Sequence, residues 1–259
     1  MKRFLLSLCL SLPTLVIAPI VNADDHAHHQ ALTVNFTNCT EFAGVAPVDA
    51  SSARALVPAQ FALDTNGTQA YLVVRVSDCQ GISVANHRAR PGRVAHTGIE
   101  LISPDGTASN PNTGINNYTL SYASNVPELV EALNHFGVPA AYAGGLDYEY
   151  SPAQGPSELY AAVAPLDATS PTWFLHGTVT NPTYPSPFLA NWWFAGSEHE
   201  VKMATTFPLI NFDFSSVVNF YTSRNNVIGQ LIAGNAINDF PVSYRGAYAK
   251  AQMVVTQPH

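Results

Sequence analysis

The feature that most constrains the fold is punctuation. Short runs rich in β-branched and aromatic residues follow one another along the chain, each cut by Gly, Pro or Asn. "TQAYLVVRVSDC" is the best formed of them, with Tyr71, Val73 and Val76 as strand formers and polar residues at its bounds. "ALTVNF", "RVAHTGIELIS", "GINNYTLSYA", "LDYEY", "ELYAAVA", "TWFLHGTVT", "NWWFAG", "HEVKMATTF" and "SYRGAYAKAQMVV" read the same way. The turn "PDG" ends one run, and "NHRARPG" reads as an exposed loop. One stretch keeps a different period. In "NVPELVEALNHFG", Leu129, Val130, Leu133 and Phe136 form an apolar stripe, Pro127 and Glu128 suit a first turn, Asn125 is placed to cap, and Gly137 stops the helix. "NNVIGQLIAG" predicts a second short helix, and residues 41–60, with Pro47, Pro58 and many alanines, read as loop plus a short helix. The expectation is a mainly antiparallel β, β-rich α+β domain with two or three short helices. No linker rich in Gly, Ser or Pro divides it.

The beginning of the chain reads as an export signal. Lys2 and Arg3 precede an apolar stretch from Phe4 to about Val21, and Val21-Asn22-Ala23 offers small residues for cleavage. Ser7, Ser11, Pro13 and Pro19 interrupt that stretch, which makes it a poor permanent span. The expected organisation is a signal peptide over 1–23 and a single exported domain over 24–259 with a loose start at 24–30. Localisation is then secreted or periplasmic, with no integral membrane anchoring. The 259-residue chain carries a net charge of −7 and its few basic residues are scattered, which argues against nucleic acid, whose phosphates need clustered Lys and Arg. Cys39 and Cys79 remain after cleavage. In an oxidising compartment they are expected to pair, the alternative being two buried thiols.

Several groups are candidates for chemistry. Cleavage after Ala23 leaves Asp24-Asp25-His26 as a free end, whose amine, amides and His26 imidazole suit adventitious Cu(II) or Ni(II). No cofactor is implied elsewhere. His96, Gly98 and Glu100 are spaced by two, so on a strand they share one face. His96 and Glu100 are candidate proton carriers, with Gly98 making room between them. The competing reading is a solvated sheet face. Asp147 and Glu149 repeat that spacing, and a shared cavity would push one carboxyl upward. Lys202 and Lys250 are candidate amine nucleophiles if desolvated. Trp192 and Trp193, adjacent on a strand, face opposite ways, so one of them can line an apolar pocket. The chain has no "HExxH", "GxSxG", phosphate-loop or dinucleotide motif.

Two pieces resemble the acetoacetate decarboxylase family. The first is "ALVPAQFAL" followed by "TQAYLVVRV" and "VAHTGIELI". The second is "VPELVEALNHFGVPAAYAGGLDYEY", where Gly137-Val138-Pro139 follows the outline of the family's Gly-aromatic-Pro turn. The resemblance implies a β-barrel or cone with peripheral helices. In the family, adjacent lysines after that turn include the one that forms a Schiff base with a keto acid, its neighbour depressing its pKa. Ala140 and Ala141 hold the matching places here, and a methyl group cannot form an imine. Glu100 is the choice for the family's pocket glutamate, with Arg75 or Arg93 for its arginine.

The leading expectation is an exported protein that binds a small organic molecule without Schiff-base decarboxylase activity. Arg75 or Arg93 would meet a carboxylate or carbonyl, and Tyr142, Trp192 and Trp193 would supply walls. A lyase, isomerase or hydrolase using His96 and Glu100 is the second reading, and a structural or interaction protein the third. Aromatic and alanine-rich strand edges are compatible with a homo-oligomer.

Overall fold

The computed structural model describes residues 31–151, 156–167, 169–196 and 199–258. The signal-like segment, the start at 24–30 and His26 lie outside the described residues. The first strand, β1 (Leu32–Asp49), runs straight through much of the stretch expected as loop. It is paired on both edges over most of its length, and that pairing overrides its alanine and proline content. Pairing on one side ends at Val45, so the missing N–H of Pro47 falls where β1 has become an edge. The expected short helix follows as α1 (Ala50–Leu56), capped by Asp49, whose Oδ1 accepts from the Ser52 N–H at 2.8 Å.

Next come β2 (Gln69–Val84), β3 (Arg90–Glu100), β4 (Gly114–Ser124), α2 (Pro127–His135) and β5 (Ala140–Tyr142). They are followed by β6 (Asp147–Ser151), β7 (Ser157–Val163), β8 (Trp173–Val179), β9 (Tyr184–Ala195) and β10 (Glu200–Asp213). The chain ends with β11 (Val217–Thr222), α3 (Val227–Leu231), β12 (Ala236–Ile237) and β13 (Val242–Thr256). Helix α2 buries Leu129, Val130 and Leu133 as its stripe requires. Its cap differs from expectation. Val126 takes the N-cap position without a side-chain bond. Asn125 instead turns its Oδ1 to the Arg93 N–H at 2.7 Å, tying the helix entry to β3.

Strands β3, β2, β1, β13, β10, β9 and β4 pair in that order, and a further β3–β4 pairing closes them into a seven-stranded barrel. The pairings are antiparallel except β4–β9, with β5 added parallel beside β4. The parallel joint has a simple origin. After β4 the chain leaves through α2 and β5, lays down β6, β7 and β8 of a second sheet, and re-enters the barrel as β9 running the same way as β4; β11 and β12, which follow β10, complete that sheet in the order β12-β11-β8-β7-β6.

Alternation along each barrel strand divides the side chains between two cores. Outward residues such as Phe42, Leu72, Val74, Val76 and Ile99 pack against Leu159, Leu175, Val218 and Phe220 of the second sheet. Inward residues such as Val34, Phe36, Val73, Met203, Phe207 and Met253 share a core with Leu129 and Leu133 of α2, which plugs one end of the barrel. Near that end Cys39 and Cys79 stand directly opposite each other in the β1–β2 register and form a disulfide. No helix among the described residues is long and apolar enough to cross a membrane.

Candidate functional site

At the end of the barrel away from α2 the interior is not filled. A cavity of about 870 Å³ lies between the last residues of β1, β3 and β10 and the first residues of β4, β9 and β13. The loop between β3 and β4 forms one side of it, and Tyr184, Phe188, Phe212, Phe214 and Tyr244 form an aromatic wall on another. Phe212 meets Phe188 edge-on at 5.5 Å, meets Tyr244 edge-on at 5.2 Å, and stacks on Phe214 at 5.8 Å. Tyr184 and Val242 stand at the mouth, both largely exposed.

Glu100 is the one half-buried carboxylate of this cavity. It ends β3 on the inward face, two positions beyond Gly98 and four beyond His96. Burial, and then the nearby Asp64 carboxylate, push its carboxyl up to about 7. Asp64 sits on the loop before β2, exposed, its N–H donating to the Glu100 carbonyl at 3.1 Å. Directly across the β3–β4 ladder from Glu100 stands Asn117. It is 0% exposed, and neither its Oδ1 nor its Nδ2 has a hydrogen-bond partner among the described residues.

Below the cavity, and sharing Ile115, Phe188 and Tyr244 with it, is a recess of about 10 Å³, room for roughly one water molecule. Arg75 and Glu41 face each other here. Arg75 Nε and Nη2 donate to Glu41 Oε2 at 3.0 and 2.6 Å, and Ser77 Oγ donates to the same oxygen at 3.1 Å. Burial opposes the Arg75 charge, but Glu41 outweighs it and drives the guanidinium pKa upward. Trp192 also lines the recess.

Deeper still the barrel is packed. The His96 ring stacks on Trp192 at 3.5 Å, meets Tyr122 edge-on at 4.7 Å, and shares a hydrogen bond with Thr119 Oγ1 at 3.0 Å. Burial, with Arg75 adding to it, holds its pKa well below the ordinary histidine value, so the ring is neutral. Gly98 makes room as expected from the sequence, but for protein. A Cβ there would lie 2.7 Å from the Trp192 ring. The indole occupies the space between His96 and Glu100, and at four residues along a strand the two are roughly 13 Å apart. The structure thus places Glu100 in the cavity and His96 in the packed layer beneath it.

The remaining sequence candidates scatter. Arg93 is half-buried outside the cavity, bound to Asp78 at 2.7 Å and near Asp147 at 3.7 Å. Asp147 and Glu149 are exposed and share no cavity. Trp193 points outward, its Nε1 donating to Asn116 Oδ1 at 3.1 Å. Tyr142 is exposed. Lys202 Nζ is held by Asp105 Oδ2 at 2.5 Å and lies over the Trp193 ring, and Lys250 is exposed. Ala140 and Ala141 are buried, at 9% and 6% exposure, on β5 beside Tyr122 and Ala123. Neither lines the cavity or the recess. The sequence reading missed Glu41, Asn117, Tyr244 and the aromatic walls. A signal was present in "YPSPFLANWWF", where Ser186, Phe188, Ala190 and Trp192 alternate onto one face.

The closed seven-stranded mixed barrel with its short helices matches the acetoacetate decarboxylase-like fold. An acetoacetate decarboxylase-like enzyme from Sphingomonas wittichii RW1 superposes with a TM-score of 0.52 at 8% identity, covering 88% of this chain and 92% of that one. The enduracididine biosynthesis enzyme MppR with bound HEPES gives 0.51 at 9%, over 89% and 86%; MppR is also known complexed with pyruvate. A structure of acetoacetate decarboxylase gives 0.51 at 9%, over 86% and 87%. At such identities the likeness is one of fold. No protein-family model matches the chain, and no curated protein matches it in sequence.

Proposed function

We propose that this is an exported small-molecule-binding protein that uses the acetoacetate decarboxylase-like barrel without Schiff-base chemistry. The observation that carries the reading is the open-end cavity. Its volume of about 870 Å³ lies within the range of ordinary ligand sites, its walls are mostly apolar, and a few polar groups converge at its floor. Its lining contains no lysine. The chain has lysines only at positions 2, 202 and 250. Lys202 is tied to Asp105 away from the cavity, Lys250 faces outward, and methyl groups stand where the resemblance would put the family's amines. MppR, similar in fold, is known complexed with pyruvate, which supports small-molecule binding as a use of this barrel. Export is supported by the signal-like start and by the Cys39–Cys79 disulfide.

The test is borohydride trapping with pyruvate and with acetoacetate, read by intact mass. The reading expects no reduced adduct and no release of carbon dioxide above the uncatalysed rate. A stoichiometric adduct on Lys202 or Lys250 overturns it. A second, catalytic reading is favoured by one observation, the carboxyl of Glu100 poised near neutrality inside a cavity. It predicts turnover of some ligand that Glu100→Gln abolishes, with His96 contributing only through packing.

A further inference from the structure

We propose that the cavity takes an organic ammonium compound, its apolar body against the aromatic walls and its positive nitrogen at Glu100. This inference rests on the small-molecule-binding reading and narrows its ligand class.

The floor of the cavity offers acceptors and no cation. Glu100 is the half-buried carboxylate of the lining, at the end of β3 on the inward face, while its cross-strand neighbour Asn117 lies wholly buried in the recess beneath and out of a cavity ligand's reach. A nitrogen bearing one or more hydrogens can donate to that carboxylate from within the aromatic walls. Asp64 adds a second negative charge at the rim. No Lys, Arg or His lines the cavity, and the nearest guanidinium, Arg75, is already matched by Glu41. A ligand carboxylate entering here would meet two carboxylates and no free positive charge.

The walls complete the match. Phe188, Phe212, Phe214, Tyr184 and Tyr244 present ring faces and edges around one space, and ring faces attract cations, more strongly when water is excluded. The exposed rim residues Ile102, Tyr184, Phe214 and Val242 continue the apolar surface to the mouth, giving an aliphatic or aryl body an entry path.

The proposal carries a pH signature. The titratable groups around Glu100 are Asp64 and Tyr184 in the cavity wall, Tyr244 on β13, and Glu41 with Arg75 below. Of these, Glu100 is the one pushed to about 7. An ammonium ligand favours its ionised form, so binding releases a proton below that value and tightens as pH rises from 6 to 8. A neutral ligand that accepts a hydrogen bond from the protonated carboxyl gives the opposite trend.

The experiment is isothermal titration of the disulfide-intact protein with 4-phenylbutylamine, 4-phenylbutanol and 4-phenylbutyrate, at pH 6 and 8 in two buffers of different ionisation enthalpy. The amine is expected to bind at least tenfold tighter than either partner at pH 8, with proton release at pH 6. In Glu100→Gln the preference for the amine over the alcohol collapses. If the alcohol or the carboxylate binds as tightly as the amine, the ammonium assignment is overturned and the binding cavity stands. If Glu100→Gln keeps the preference, the nitrogen is not at Glu100 and the assignment also falls. If none of the three binds, the binding-protein reading falls with it.

Discussion

The two ends of the barrel are made by the same strands and have opposite characters. In the packed layers beneath the cavity the titratable groups find partners: His96 shares a hydrogen bond with Thr119 Oγ1, and Glu41 accepts from Arg75 and Ser77. At the far end aromatic rings stand around open space, with the Glu100 carboxyl among them. The difference teaches where function can lie. In the packed layers the titratable residues are paired with their neighbours. In the open half the half-buried Glu100 carboxyl faces the cavity.

Breaking the packed half should have the largest effect. Arg75→Met leaves Glu41 charged and buried without its counterion, and unpaired buried charges of this kind cost about 3–5 kcal/mol; urea denaturation should show that loss. Removing the disulfide by Cys39→Ala with Cys79→Ala frees a loop spanning a sequence separation of 40 and should cost about 2–4 kcal/mol in the same assay. Gly98→Ala drives a methyl group toward Trp192 and the Tyr118 carbonyl, an overpacking expected to cost about 1–3 kcal/mol. None of the three touches the aromatic wall, so amine binding should survive wherever the variant stays folded.

The smallest effects sharpen the comparison through pH. Glu100 has a raised pKa in the folded protein, so the stability it contributes is full below the ordinary carboxylate value of 4.5 and is lost as pH rises toward about 7. Glu100→Gln should therefore gain on the parent across that window and run parallel to it above. His96 works in the other direction. Its folded pKa is lowered, so its contribution is present above 6.5 and lost as pH falls below that value. Denaturation midpoints of the parent and Glu100→Gln between pH 4.5 and 8 separate the two slopes. One titrating group belongs to each half of the barrel.

Much of the fold was legible because strand runs, turn residues and the α2 stripe are local signals. The decarboxylase-like resemblance was legible through an outline of elements. What was not legible depends on pairing between distant strands. Residues 41–49 read as loop because alanine and proline are weak strand formers, yet β2 and β13 hold them extended, and Glu41 was hidden with them. Glu100 was found because its spacing from Gly98 and His96 is even. That same spacing could not show that Trp192, from a strand more than ninety positions on, fills the room beside Gly98. Asn117 carried no sequence signal at all, because its place opposite Glu100 is set by a register that only the closed barrel fixes. Ala140 and Ala141 hold the places that the resemblance gives to the family's lysines. They are buried, and the cavity opens elsewhere in the barrel.

The most direct test of that last point is methyl NMR of the protein titrated with 4-phenylbutylamine. Shifts should concentrate on Ile115, Val45 and Val242, which line the cavity, and leave Ala140 and Ala141 unmoved. Shifts centred on the two alanine methyls, with the cavity methyls silent, would contradict the account.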